Sequence, residues 1–220
     1  MPKSSNGTYF NPMTDSPLLP LLLFTGAVYL AKIWYDDVKA AKAGNPNPKA
    51  LPGASSASMA LILVGILGAV ILVGVETAGE IALGVSEEQS DIAAIFLLAM
   101  LGAGILEEVL FRGYLVVQSK GNTIRTLSII GFSLLFALLH YQYYIDTATT
   151  DENTTITISL TAKSGWSLLI LMLNSLWFYT LRFVRWNTTH SLLPCFAAHM
   201  ASNAAVFLVK LAQGHVTSLW

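Results

Sequence analysis

Three short polar motifs stand inside long apolar stretches of this sequence, and their residue types are those that hydrolytic enzymes use. The motifs are Glu107-Glu108-x-x-x-Arg112, Phe136-x-x-x-His140 and His199-x-x-x-Asn203. A charged side chain at membrane depth costs roughly 2.5–3.5 kcal/mol on insertion scales, so a chain that keeps several of them there uses them. The pattern therefore points to an active site built within a membrane.

The first motif supplies two carboxylates that are expected to have different surroundings. Residues four apart share a helix face, so Glu108 and Arg112 are predicted to form an ion pair. Glu107 is rotated by about 100° from Glu108, so it is predicted to point into the bundle alone. A carboxylate in that position can act as the general base that takes a proton from an attacking water.

The two histidine motifs supply the remaining groups. His199 and Asn203 share a helix face, and an imidazole beside an amide can donate hydrogen bonds to a developing oxyanion. His140 can orient a water between its ring and Glu107. Together the motifs predict a peptide hydrolase that uses neither a serine nor a cysteine as its nucleophile.

Six apolar segments are long enough to position these motifs within a bilayer, since a spanning helix needs about 20 residues. Their predicted ranges are 17–35, 56–79, 92–118, 126–145, 166–186 and 190–213. Hydrophobic residues make up 54% of the chain and charged residues 11%, against about 25% charged in ordinary soluble domains. We therefore expect an all-α, polytopic membrane helix bundle of about six transmembrane helices.

The charged residues alternate between the predicted connectors. Basic residues follow the first, third and fifth spans, whereas acidic residues predominate after the second and fourth. Because basic residues mark the cytoplasmic side, this pattern places both chain termini outside. If the third helix continues through Val117, Glu107 lies about 15 Å from the cytoplasmic surface, level with the histidine motifs. A net charge of −1 without a basic stripe argues against nucleic acid as a partner.

The three motifs, with Gly113 after the first, resemble the CPBP family, which comprises CAAX proteases and bacteriocin-processing enzymes and is also called the Abi family. The Ras-converting CAAX endopeptidase belongs to it. The resemblance covers about residues 92–210 and implies a four-helix catalytic core. It divides the chain into an N-terminal tail with two transmembrane helices joined by a basic loop (1–91), a CPBP-type core (92–213) and a short C-terminal tail (214–220).

The resemblance also implies a role for each motif residue. Glu107 would activate water with the assistance of His140. His199 and Asn203 would stabilise the oxyanion, and the other two residues of the first motif would support it. The implied activity is that of an intramembrane endopeptidase.

Metal dependence stays open at this stage. Glu107, His140 and His199 could form an open three-ligand zinc site, which would make the protein a metalloendopeptidase. The sequence lacks the His-Glu-x-x-His of the zincins, so that arrangement is excluded.

Six spans, against about eight in eukaryotic CAAX-processing members, favour a short prokaryotic form in the cytoplasmic membrane. The expected partners are membrane lipid and a peptide or protein substrate, for which a prenylated CAAX peptide is one candidate. Two alternatives remain: a non-catalytic immunity or scaffold protein, and a small proton-coupled transporter that uses Glu107 and the histidines as a relay. A hydrolase would gather these residues around one water site, whereas a relay would string them along a path.

Overall fold

The computed structural model describes residues 17–149 and 154–220, which form six α-helices and two small β-sheets. The helices are α1 (Leu18–Lys42), α2 (Met59–Leu83), α3 (Phe96–Glu107), α4 (Gly121–Leu139), α5 (Ala162–Phe183) and α6 (Leu193–Ala212). A π-helical segment (Glu108–Tyr114) continues α3, and single 3-10 turns cover Ser86–Glu88 and Tyr141–Tyr143. The strands are β1 (Ile92–Ala93), β2 (Ile145–Thr149), β3 (Thr154–Ile158) and β4 (Val216–Ser218). The tail predicted for residues 1–16 lies outside the described residues.

Five of these helices, α1, α2, α4, α5 and α6, are long and apolar enough to cross a membrane. Their outward faces carry large exposed hydrophobic side chains, among them Leu22, Leu67, Ile71, Leu135 and Leu208. An apolar surface of this extent is costly in water and favourable in lipid. The predicted all-α membrane helix bundle is confirmed, with five long apolar helices in the described residues and a shorter sixth, α3.

The third predicted span, 92–118, is wrong at both ends. Residues 92–93 form β1, which pairs in parallel with β4, so α3 begins only at Phe96. The helical path ends at Tyr114 and does not reach Val117. Its last backbone bond runs from Leu115 N to the carbonyl five residues back, that of Leu110, at 2.9 Å. This wider turn is π-helical geometry, which commonly occurs at functional sites.

The fourth predicted span, 126–145, lies too far toward the C-terminus of the chain compared with the observed helix α4. Helix α4 begins earlier, at Gly121, and ends at Leu139, so His140 follows the helix instead of lying within it. Strands β2 and β3, which are rich in threonine and isoleucine, then form an antiparallel hairpin. β-Branched threonine and isoleucine favour extended backbone, and this accounts for the hairpin.

The basic loop predicted around residues 36–55 is shorter than expected, because α1 continues to Lys42. The loop that follows is held to α1 by the buried carboxylate of Asp37. This carboxylate accepts hydrogen bonds from the Leu51 backbone N–H at 2.8 Å and from the Asn47 amide at 2.7 Å. The loop therefore packs on the bundle through defined contacts.

The connectors meet at two opposite ends of the bundle, as their charges suggested. At one end, the backbone N–H of Leu192 donates to the carbonyl of Gly53 at 3.1 Å, which joins the first and fifth connectors. At the other end, Glu80 pairs with Lys163, and Lys210 donates to the carbonyl of Ser90. The alternation of basic and acidic connectors thus corresponds to two separate faces, and their assignment to inside and outside stays a prediction.

Helix α2 packs closely against α5 at Gly68. A Cβ built at Gly68 would lie 2.3 Å from a ring carbon of Trp177, whose indole N–H donates to the carbonyl of Gly65 at 3.1 Å. A Cβ at Gly74 would meet nothing within 4 Å. Close packing of α2 through glycine therefore applies to Gly68 and not to Gly74.

We expect Gly68→Ala to lower the free energy of unfolding by about 1–3 kcal/mol, because the bonded Trp177 ring must move to admit the methyl group. Gly74→Ala is the matched control and should leave stability unchanged or slightly raised. Chemical unfolding of the two variants in detergent micelles measures the difference. Equal stabilities for the two variants would contradict this account of the α2–α5 contact.

Candidate active site

Glu108 and Arg112 form the ion pair that their spacing predicts, and it is completely buried. Glu108 Oε1 lies 3.1 Å from Arg112 Nη1, and neither side chain has any exposed surface. The contact is electrostatic and poorly aligned as a hydrogen bond. Glu108 Oε2 and Arg112 Nε and Nη1 have no hydrogen-bond partner among the described residues. Such a pair is costly to bury and depends on further neighbours.

Those neighbours come mainly from α5 and from aromatic rings. Arg112 Nη2 donates to Ser175 Oγ at 2.8 Å, and Ser175 Oγ in turn donates to Ser133 Oγ at 3.1 Å. Four aromatic rings surround the guanidinium at 4.8–5.7 Å from its central carbon, those of Phe111, Phe136, Phe178 and Tyr179. Cation–π attraction in a desolvated setting stabilises the positive charge. Arg112 is therefore held in one position from three helices.

His199 lies between the two glutamates. Its Nδ1 is 2.7 Å from Glu108 Oε1, and its Nε2 is 3.7 Å from Glu107 Oε2. The ring stacks on Phe178, with centroids 4.8 Å apart and an interplanar angle of 21°. Glu107 lies outside the Glu108–Arg112 ion pair and faces the imidazole. It is the more accessible carboxylate, with 28% of its side chain exposed.

The π-helical segment determines how the glutamates meet His199. Glu107 is the last residue of α3 and Glu108 the first of the wider turn. The far end of the segment is fixed by Tyr179, whose hydroxyl lies 2.8 Å from the carbonyl oxygen of Phe111 and 2.7 Å from that of Leu115. The single hydroxyl hydrogen is shared between two carbonyls at the end of the helix, where carbonyls lack backbone partners. Tyr179 is thus a positioning residue for the first motif.

His140 reaches the site through Phe136. Its Nδ1 lies 2.8 Å from the backbone carbonyl oxygen of Phe136. Because a carbonyl only accepts, Nδ1 carries the hydrogen, which leaves Nε2 of the neutral ring as an acceptor. The Phe136 ring lies 4.8 Å from the His140 ring and 6.2 Å from the His199 ring, centroid to centroid. The second motif therefore contacts the third through an aromatic ring.

Asn203 is on the same face of α6 as His199, as predicted, and is anchored to α3. Its Nδ2 donates to the backbone carbonyl of Met100 at 2.6 Å. Gly104 lies beside both residues, since a Cβ there would be 3.5 Å from the His199 ring and 3.7 Å from Asn203 Nδ2. The amide keeps a second N–H that this bond does not use. Helices α3 and α6 therefore approach closely at the site.

The metal-site hypothesis does not fit this arrangement. Within residues 17–149 and 154–220, no three His, Cys, Asp or Glu side chains are grouped as a metal ion requires. Glu107 and His199 are neighbours, but His140 directs Nδ1 to its own helix and contacts Phe136. The three suggested ligands, Glu107, His140 and His199, therefore do not form a ligand set in this structure.

Most of the predicted residues do come together. Glu107, Glu108, Arg112 and His199 form one contact network, and His140 and Asn203 adjoin it. Sequence reasoning missed the contribution of α5, namely Ser175, Phe178 and Tyr179. The available signal was their spacing of three and four residues, which places them on one helix face. A gathered network is the arrangement expected of a hydrolase and differs from a relay strung along a path.

Comparison with known proteins agrees with this arrangement. The sequence profile of the family described as type II CAAX prenyl endopeptidase Rce1-like matches residues 89–205, a little over half of the chain. That range contains all three motifs and the α5 residues that contact them. Searches of curated proteins and of solved structures gave no match. The chain therefore belongs to the Rce1-like family of type II CAAX prenyl endopeptidases.

Proposed function

We propose that this integral multi-pass membrane protein is an intramembrane endopeptidase that cleaves near the C-terminus of prenylated CAAX-type substrates. The observation that carries the proposal is the position of His199 between Glu107 and Glu108. Membership of the family supports a peptide substrate and a membrane setting. The prenylated substrate is proposed from family membership, whereas the hydrolytic chemistry is proposed from the geometry of the site.

The hydrogen-bond geometry supports donor roles for both ring nitrogens of His199. Nδ1 lies 2.7 Å from Glu108 Oε1 and Nε2 lies 3.7 Å from Glu107 Oε2, and a carboxylate only accepts hydrogen bonds. Nδ1–H donates to Glu108, and Nε2–H is directed toward Glu107 and the space beside it. His199 can then act as a donor.

The hydrolytic step needs a base, a water and an oxyanion site. Glu107 takes a proton from the water as the water oxygen attacks the scissile carbonyl carbon. The unprotonated Nε2 of His140 accepts a hydrogen bond from the other hydrogen of that water and so orients the water. Glu107 then gives the proton to the departing amine as the carbon–nitrogen bond breaks, and the products are an amine and a carboxylic acid.

The oxyanion would be stabilised by groups on α6. His199 Nε2–H and the free N–H of Asn203 lie on one helix face and are held in place before the reaction. Donors that are fixed in advance stabilise the developing charge without reorganisation. Glu108 holds the His199 ring through Nδ1, and Arg112 holds Glu108, so both act as positioning residues.

Cleavage of a defined peptide tests the proposal. The purified protein in lipid nanodiscs is incubated with a peptide that ends in a prenylated cysteine and three further residues, and the products are identified by mass. We expect hydrolysis by the wild type and a loss of about 10²–10³-fold in kcat for His199→Ala, which removes an oxyanion donor. A chelator should not change the rate, because the suggested metal ligands are not grouped.

His215→Ala is the matched control. His215 pairs with Asp91 at 2.9 Å at the end of the bundle that carries Glu80 and Lys163, so its loss should leave the rate unchanged. Failure of the wild type to cleave while it still binds the peptide would favour the non-catalytic scaffold. Unchanged activity in His199→Ala would refute the mechanism.

A further inference from the structure

Arg182, in the last turn of α5, is a second buried arginine that the proposed mechanism does not use. Only 4% of its surface is exposed. Within residues 17–149 and 154–220, its Nε and Nη1 atoms are buried without a hydrogen-bond partner, and no ion pair includes it. A cation in this situation loses its hydration without receiving a counter-charge.

Arg112, the other buried arginine described above, differs from Arg182 in having several partners. Arg112 is also buried, but it has Glu108, Ser175 and four aromatic rings around it. Arg182 has the ring of Phe183, 5.4 Å from its central carbon. An uncompensated buried charge destabilises the substrate-free protein. A buried, unpaired Arg182 is explained if an anion binds to its guanidinium during function.

The position of Arg182 relates it directly to the active site. Ser175, Phe178 and Arg182 lie on one face of α5, at spacings of three and four residues. Phe178 stacks on His199, so the face begins at the reacting centre. At 1.5 Å per residue, Arg182 lies about 6 Å beyond Phe178 and about 10 Å beyond Ser175 along the helix. The direction is toward the basic connectors, where the His190 ring contacts the Arg182 carbonyl.

We propose that Arg182 binds the C-terminal carboxylate of the peptide substrate. The inference rests on the proposed function and names the substrate group that this part of the site recognises. A CAAX sequence has three residues after the prenylated cysteine, and three extended residues span at most about 10–11 Å. Arg182 lies about 6 Å along the helix from Phe178, which stacks on His199, so it is within the reach of those three residues. A guanidinium also presents paired N–H donors that suit a carboxylate.

The test compares a peptide that has a free C-terminal carboxylate with the same peptide ending in an amide. Kd values are measured in nanodiscs on the Glu107→Gln background, so binding is read without cleavage. We expect the acid to bind about 10- to 100-fold more tightly than the amide, as charged hydrogen bonds imply. In Arg182→Gln this preference should fall to about twofold or less, while Arg182→Lys should retain part of it.

Arg185→Gln is the matched control, because Arg185 carries the same charge on the exposed surface three residues further on. It should keep the acid preference unchanged. The thermal stability of substrate-free Arg182→Gln should equal or exceed that of the wild type, since a buried unpaired charge is removed. A large fall in its stability would instead assign Arg182 a structural role and overturn the proposal.

Lipid phosphate is the other oxyanion that a guanidinium at this end could bind, and the nanodisc lipid distinguishes it. The Kd ratio is measured in purely zwitterionic lipid and in lipid with anionic phosphatidylglycerol. If Arg182→Gln abolishes a stabilisation by anionic lipid but leaves the acid preference intact, the proposal is wrong. Equal Kd values for the acid and the amide in the protein that keeps Arg182 would also refute the proposal. Cleavage of both peptides by the wild type, which keeps Glu107, would in that case leave the proposed endopeptidase function standing.

Discussion

Glu107→Gln is expected to reduce kcat for peptide cleavage by about 10²–10⁴-fold, the range that a positioned general base contributes. Glutamine has nearly the same shape as glutamate but cannot accept the proton of the attacking water. Because 28% of the Glu107 side chain is exposed and its contact with His199 is long, 3.7 Å, the fold should tolerate the change. Single-turnover cleavage in nanodiscs, together with the Kd for substrate, measures the effect.

Two comparisons make this result specific. Glu87→Gln alters an exposed carboxylate just after α2 and should leave kcat unchanged. Glu108→Gln removes a completely buried charge, so it should lower stability as well as kcat. If Glu107→Gln retained more than about a tenth of wild-type kcat, another group would have to be the base.

The helices were predictable from the sequence because each long apolar stretch has one stable form in lipid. The errors lie at helix ends, chiefly those of the first, third and fourth helices. Helix α4 ends at Leu139, and the third helical segment ends at Tyr114 in a π-helical turn. That turn is fixed by Tyr179, more than 60 residues away along the chain. A contact of that kind leaves no local signal in the residues that it shapes.

In the site, too, contacts between neighbours in one helix were predictable and contacts between helices were not. The Glu108–Arg112 pair follows from helical spacing alone, and it was predicted. The position of His199 between Glu107 and Glu108 depends on how α6 packs against α3, and it was not. The unpartnered state of Arg182 was likewise invisible, because a sequence does not show which charges lack neighbours. Local spacing predicts partners within a helix, whereas partners between helices require the packing.

Arg112→Met should be the most destabilising of these substitutions, with a loss of about 3–5 kcal/mol in the free energy of unfolding. Methionine fills much of the same space among the aromatic rings, so the lost packing is small. The main cost arises because Glu108, completely buried, keeps its negative charge without its partner. Chemical unfolding in detergent micelles measures the loss, and Arg185→Met on the exposed surface is the control.

The double variant Glu108→Gln/Arg112→Met separates the ion pair from the rest of the network. If the cost comes from an uncompensated charge, removing both charges should cost less than the sum of the two single changes. The loss of stability that remains in the double variant would then measure what the charge of Glu108 contributes to its contact with His199. Glutamine at this position keeps a hydrogen-bonding oxygen near Nδ1 but removes the charge. Additive losses would mean that Arg112 stabilises the bundle mainly through Ser175 and its aromatic neighbours. In that case the pairing with Glu108 would be incidental to stability, and the role of Arg112 in orienting His199 would have to be abandoned.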